Sequence, residues 1–352
     1  MPPLIITATP NISWMHPQVD YPRTPQAIAE EARLCCENGA AILHTHAEGR
    51  WKETIDSVRA RCDIIVQCGM SSLPISERME VYENKADMIS VILNHHDEAF
   101  TQTECNVLHL RQELVQYCLL CRKYGVIPEW EVWHAGSVWN LDYLIGRKLL
   151  KPPYVATLFF GWPGGTWSPP TVEEYLYRRR LMPEGCVCNV SIMVADRATT
   201  LGEGQRDILT AAIISGDHVR VGTEDHPYDH SGKVVPTHEL VKETAEMARA
   251  LGRPLATVQQ ARKLIGLLAS SGASPFGSTS RSPAVSARRY HEYESRHHHR
   301  LGAGNRRGVR ASFCKTRLRR HRAGYITRGA KSRGAGQRAW GRMRFLRLRC
   351  IR

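Results

Sequence analysis

Through the first 267 residues, short β-forming runs alternate with helical patterns, and this alternation leaves few folds open. Residues 4–8, 40–43, 62–67, 88–93, 126–132, 154–160, 187–193 and 218–221 read as strands. Eight strands separated by helices over roughly 250 residues is the layout of a (β/α)8 barrel, a TIM barrel in the α/β class. An open doubly wound sheet is the alternative, and the barrel is the expectation. The punctuation of the helices agrees with it. Thr24 and Pro25 suit the N-cap and first position of a helix whose apolar face includes Ile28, Ala32 and Cys35, and Gly39 ends it. Thr237 reads as the cap of a late helix carrying Leu240, Val241, Thr244, Ala248 and Leu251. Val107, Leu110, Leu114, Cys118 and Leu119 lie near a 3.6-residue period, so 103–123 reads as one long helix.

The charge is distributed in a way that separates two regions. The net charge of +14 comes from residues 269–352, which hold 22 Lys/Arg against 2 Asp/Glu, leaving 26 basic and 32 acidic residues before them. Residues 1–268 are therefore mildly acidic and are expected to form the barrel domain. The segment 269–352 is rich in Arg, Ser and Gly and has no apolar periodicity, so it is expected to be disordered or a frameshift-like extension. Binding of nucleic acid through its arginines is the alternative reading, and not the expected one. No signal peptide is expected before Ile5, and no run approaches the ~20 apolar residues of a membrane span. The eleven scattered cysteines fit free thiols in a reducing cytoplasm. Cys118 and Cys121, and Cys186 and Cys188, lack a second pair at zinc-like spacing and read as structural thiols.

Two stretches carry chemistry. In Leu43-His44-Thr45-His46 the histidines at i and i+2 of a strand point to one face, and neutral imidazoles are good ligands for zinc and similar cations. In His218-Val219-Arg220-Val221-Gly222-Thr223-Glu224-Asp225 a strand runs into a turn bearing an Arg and two carboxylates. In a closed barrel only the first strand separates the second from the eighth, so the two stretches can converge on one ion.

The chain resembles the β-keto acid cleavage enzyme family from about Ile5 to Leu267. The matching blocks are TPQAIAEEA from Thr24, GAAILHTH from Gly39, GVIPEWEVWHAG from Gly125, GDHVRVGTED from Gly216 and LGRPLATVQQARKLIGL from Leu251. The resemblance implies a barrel enzyme with a divalent metal, usually Zn2+, that exchanges acyl groups between a β-keto acid and acetyl-CoA, giving acetoacetate and a new acyl-CoA. It implies His44, His46 and Glu224 as metal ligands, Arg220 and Asp225 as the dyad that handles the proton, and Glu131, or second to it Glu129, as a carboxylate near the substrate. Asn11, Ser71, Ser72 and Asn94 are candidates for substrate binding, the serines as oxyanion donors. A family carboxylate that reads an amino substituent falls near Asn11, so a neutral or acidic substrate is expected. Three further features depart from the family pattern: Ala47-Glu48 follows the histidines, Gln67-Cys68-Gly69-Met70 ends the third strand, and the tail has no counterpart. A homo-oligomer is expected, with small-molecule substrates and no membrane. Another metal-dependent aldolase or hydrolase on the same barrel is the alternative enzyme.

Overall fold

The structure is a computed structural model that describes residues 1–267 apart from 13–15, 17, 48, 70, 99–104, 163–165, 167 and 194–204. The chain divides into two units, Met1–Ser280 and Arg281–Arg352, and the whole of the basic tail lies outside the described residues.

Eight parallel strands close on themselves in the order β1-β10-β9-β8-β7-β4-β3-β2. They are β1 (Ile6–Ala8), β2 (Ile42–Thr45), β3 (Ile65–Cys68), β4 (Met88–Ile92), β7 (Ile127–Val132), β8 (Tyr154–Phe160), β9 (Cys186–Ile192) and β10 (His218–Val221). Closure is made by β1, which pairs with β10 through Ile6↔Val219 and with β2 through Thr7↔Ile42. The barrel expected from the sequence is thus the observed fold.

The two-residue period of the strands sorts side chains to opposite faces. Ile6, Leu43, Val66, Ile89, Trp130, Ala156, Val190 and Val219 share one apolar cluster with helix residues such as Ile28, Ala32 and Val58. The helices concerned include α1 (Pro25–Glu37), capped by Thr24 as expected, and α2 (Trp51–Arg61). On the other face, Ile5, Ile42, Ile65, Met88 and Val155 pack with Ala261 and Ile265, so α9 (Val258–Leu264) seals the floor. One step further along each strand, the inward position is polar: Thr7, His44, Gln67, Ser90, Glu129, Thr157, Asn189 and Arg220, all buried. An unpaired buried polar group costs about 1–3 kcal/mol, so a complete ring of them must be knitted together or serve a purpose.

Two readings of the sequence are corrected. Residues 103–123 are not one helix. Strand β6 (Cys105–Leu108) pairs antiparallel with β5 (His95–Glu98), and α4 (Arg111–Tyr124) starts only after it. Val107 matches the helical period but packs with Ile92, Trp133 and Phe159 over the barrel mouth, and this tertiary contact overrides the local pattern. Thr237 is the first residue of α8 (Thr237–Ala250), not its cap; its hydroxyl takes the backbone N–H of Thr223 instead. The remaining helices are the short α3 (Met79–Glu83), α5 (Val138–Gly146), α6 (Val172–Leu181) and α7 (Gln205–Ser215). Cys118 and Cys121 are buried free thiols, as are Cys188 and, half-buried, Cys186. No helix among the described residues is long and apolar enough to cross a membrane.

Candidate metal centre

His44 lies within β2 and His46 just past its end, so the alternation that faces His44 into the barrel brings His46 to the same side one level higher. Their Nε2 atoms are 3.3 Å apart. Glu224 reaches them from the turn after β10, with Oε1 at 3.5 Å from His44 Nε2 and 3.4 Å from His46 Nε2. One ligand atom from each of the three residues lies within 4.8 Å of the other two.

The turn that delivers Glu224 is tied at several points to Thr9 and Pro10, the two residues that follow β1. The Glu224 N–H donates to the Thr9 carbonyl at 3.1 Å, and the Thr223 hydroxyl to the Pro10 carbonyl at 2.8 Å. Gly222 sits so close to β1 that a Cβ there would lie 2.3 Å from the Thr9 oxygen. Gly69 has a similar role opposite: a Cβ on it would come within 2.6 Å of His46 Nε2 and 3.0 Å of His44 Nε2. Only glycine leaves those nitrogens accessible.

Three observations fit a cation here. Two imidazoles and a carboxylate form a donor set typical of zinc. Glu224 Oε2 is buried and has no hydrogen-bond partner. His44 Nδ1 is engaged with Gln67 Oε1 at 2.8 Å, which leaves Nε2 to face Glu224. Burial would raise the Glu224 pKa, but His44, Arg220 and His46 outweigh it and hold the carboxyl well below its ordinary value.

Beside the cluster, Arg220 forms a two-pronged bond to Asp225, Nε to Oδ2 at 2.8 Å and Nη2 to Oδ1 at 2.9 Å. Its Nη2 also donates to Glu224 Oε1 at 2.7 Å, and its Nη1 is buried without a partner. Ser191 adds a 2.5 Å hydrogen bond to Asp225 Oδ2. Burial pushes the Asp225 carboxyl above its ordinary value, with Arg220 opposing, while the two carboxylates keep Arg220 firmly protonated against its own desolvation. His16 is buried in the loop after β1; desolvation lowers its pKa to about 4, so the ring is neutral.

Glu131 accepts from Ser71 Oγ and Trp133 Nε1, each at 3.0 Å. Ser72 is half-buried in the same turn as Ser71. Asn11 faces the backbone of His46: its Oδ1 accepts from the Thr45 hydroxyl (2.8 Å) and the His46 N–H (3.1 Å), and its Nδ2 donates to the carbonyls of His46 (2.7 Å) and Pro22 (3.3 Å). Asn94 has φ of +77° and bonds the His109 carbonyl at 2.9 Å, so it anchors the β5–β6 hairpin. In the loop after β8, Trp162 packs near His96 and Trp133, while 163–165 lie outside the described residues. Sequence reasoning missed Gln67, Thr157 and Ser191, although all three occupy inward positions that strand alternation alone would have marked.

The family model of the beta-keto acid cleavage enzyme matches residues 3–267. The chain belongs to the β-keto acid cleavage enzyme family. A member from Fusobacterium nucleatum, 3-keto-5-aminohexanoate cleavage enzyme, is 28% identical over 291 residues, spanning 76% of this chain and 99% of that protein. The 3,5-dioxohexanoate:acetyl-CoA acetone transferase of Paraburkholderia graminis is 25% identical over 306 residues, spanning 75% and 96%. The solved binary complex of ObcA with oxaloacetate shares the fold at a TM-score of 0.56 and 17% identity, over 70% of this chain and 67% of that one.

Proposed function

We propose that this β-keto acid cleavage enzyme condenses a β-keto acid with acetyl-CoA and releases acetoacetate and a new acyl-CoA, using one Zn2+ held by His44, His46 and Glu224. The observation that carries the reading is the convergence of three ligand atoms from β2 and the β10 turn beside a buried Arg–Asp pair. The cation supplies Lewis-acid polarisation of the substrate's keto and carboxylate oxygens.

The protein's own groups do the rest. Asp225 takes a proton from the methylene between the keto and carboxylate groups. Arg220 holds both Asp225 oxygens, fixing the base in place and balancing its charge before the proton arrives. The resulting carbanion attacks the acetyl-CoA carbonyl, and CoA thiolate leaves. The thiolate then adds to the original keto carbon, and the bond from that carbon to the former methylene breaks. Asp225 returns the proton to give acetoacetate. An oxyanion donor is worth about 3 kcal/mol at such a step. Ser71 and Ser72 are the candidates for it; the single Ser71 proton goes to Glu131 in this structure, so Ser71 serves only once its hydroxyl turns from Glu131 to the oxyanion. Asn11 carries no charge and its polar atoms all face the backbone and Thr45, so a neutral or acidic acyl group suits the site better than an aminated one.

Residues 1–268 carry the whole activity and 269–352 none of it. Self-association is proposed to cover exposed apolar side chains such as Trp139 and Leu110. The free thiols suit the cytoplasm. The test is acetoacetate release from a panel of β-keto acids, with and without acetyl-CoA. Turnover that needs acetyl-CoA and survives deletion of 269–352 is expected. Cleavage without any acyl-CoA would replace this reading with a metal-dependent aldolase or hydrolase.

A further inference from the structure

Inside the barrel a line of hydrogen bonds runs from the cation cluster across three strands to the far wall. His44 and Gln67 are direct partners in the β2–β3 register, and His44 Nδ1 lies 2.8 Å from Gln67 Oε1. Gln67 Nε2 donates to Glu129 Oε2 at 2.6 Å. Glu129 Oε1 in turn accepts from the Thr157 hydroxyl on β8. Between Gln67 and Glu129 stands β4, whose inward residue at this level is the small Ser90, and its size lets the amide reach past it. All of these residues are buried.

The direction of the chain follows from the donors available. A carboxylate accepts only, so the Gln67 amide turns its N–H2 toward Glu129 and its oxygen toward His44. His44 must then carry its ring proton on Nδ1. The lone pair left on Nε2 faces Glu224 and His46, where a cation needs it. With the amide flipped, the proton would sit on Nε2 and the ring would be no ligand. Ring nitrogens that bind metals are commonly oriented by a partner on the opposite nitrogen, and loss of that partner costs 10–100-fold in metal affinity as an order of magnitude.

We propose that Gln67 and Glu129 are positioning residues that fix the Nδ1–H tautomer of His44 and so set the affinity of the cluster for its cation. This rests on the metal-binding part of the reading above and not on the acyl transfer.

Two measurements on the full chain test it. The first is Zn2+ affinity by competition with a chromophoric chelator. Gln67→Met, which keeps the side chain's volume and removes its acceptor and donor, should weaken Zn2+ about 10–100-fold; it also lowers the melting temperature of the metal-free protein, because His44 Nδ1 and the buried Glu129 each lose a partner. The exchange variant Gln67→Glu with Glu129→Gln places an acceptor against His44 and a donor behind it, and should return the affinity to within about threefold of wild type. The second is the long-range 1H–15N spectrum of the histidine rings, in which wild-type His44 should be the Nδ1–H tautomer before and after Zn2+ is added. An Nε2–H tautomer in wild type, unchanged affinity in Gln67→Met, or an exchange variant no better than Gln67→Met would each overturn the proposal. Wild-type protein that binds Zn2+ and obeys these expectations but releases no acetoacetate would sink the proposed reaction alone; wild type that binds no Zn2+ would sink both.

Discussion

At the floor of the barrel Arg253 is buried, and its guanidinium donates to the carbonyls of Pro2 (3.1 Å), Ile213 (2.9 Å), Gly216 (3.0 Å) and Asp217. The neighbouring Asp217 carboxylate takes the Tyr175 hydroxyl at 2.8 Å and Arg179 Nε at 2.6 Å. At the mouth Arg220 is equally buried, yet one of its nitrogens and one oxygen of Glu224 have no partner. Both ends bury an Arg near a carboxylate, and only the floor satisfies them fully. Unpaired buried charge is costly, and a fold that can satisfy it at one end is capable of doing so at the other. The difference marks the floor as a fastening and the mouth as a place that awaits something.

Substitutions at the two ends should therefore differ in kind. The largest effect expected is at the mouth: Asp225→Asn keeps the shape but cannot take a proton, so kcat for acetoacetate formation should fall about 100- to 10,000-fold with bound metal unchanged. Loss of the metal together with the activity would show instead that Asp225 is part of the ligand scaffold. Next is Arg253→Met, which leaves several carbonyls at the floor without donors. It should cost about 3 kcal/mol of stability in denaturant unfolding while metal content and KM stay as in wild type. A change in metal content would mean that the two ends are coupled.

The smallest effect is a pH dependence at the floor. His218 Nδ1 accepts the Ile5 N–H at 3.0 Å, and desolvation, helped by Arg253, lowers its pKa from 6.5 to about 3. Because the folded-state value is depressed, the neutral ring contributes stability that is complete above pH 6.5 and is lost as the pH falls toward 3. Between pH 6.5 and 5 the unfolding free energy of wild type should fall by up to about 1.4 kcal/mol per pH unit, and its thermal midpoint should fall with it. In His218→Gln the midpoint should be lower at neutral pH and the slope shallower. Equal slopes would remove His218 from the account.

The same contrast explains what the sequence disclosed. Strand runs and most capping residues are local, and they carried the barrel; the HxH pair pointed to His44 and His46, and the family resemblance added Glu224, whose ligand atom lies within 4.8 Å of theirs. Closure of the barrel then made β2 and β10 near neighbours through β1, so His44 and Glu224 could be expected together. What stayed hidden depends on register or packing. Strand alternation marks Gln67 as inward, but its role comes from sitting opposite His44, a register that the sequence does not show. The β5–β6 hairpin was hidden because Val107, Leu110 and Leu114 happen to match a helical period. Asn11 was a candidate for substrate binding, and the packing that the sequence does not show turns its side chain to the backbone of His46.

The proposed cation would be received by the unpartnered Glu224 oxygen and the two imidazole nitrogens beside it, not by Arg220. Its most direct test is the zinc stoichiometry of the full chain after dialysis against a weak chelator, for wild type, His46→Ala and Glu224→Gln. One ion per chain is expected in wild type and much less than one in either variant, with metal-free Glu224→Gln somewhat less stable than metal-free wild type, because Arg220 and the histidines favour the ionised carboxylate. Variants that keep a full ion, or a wild type that never holds one, would contradict it.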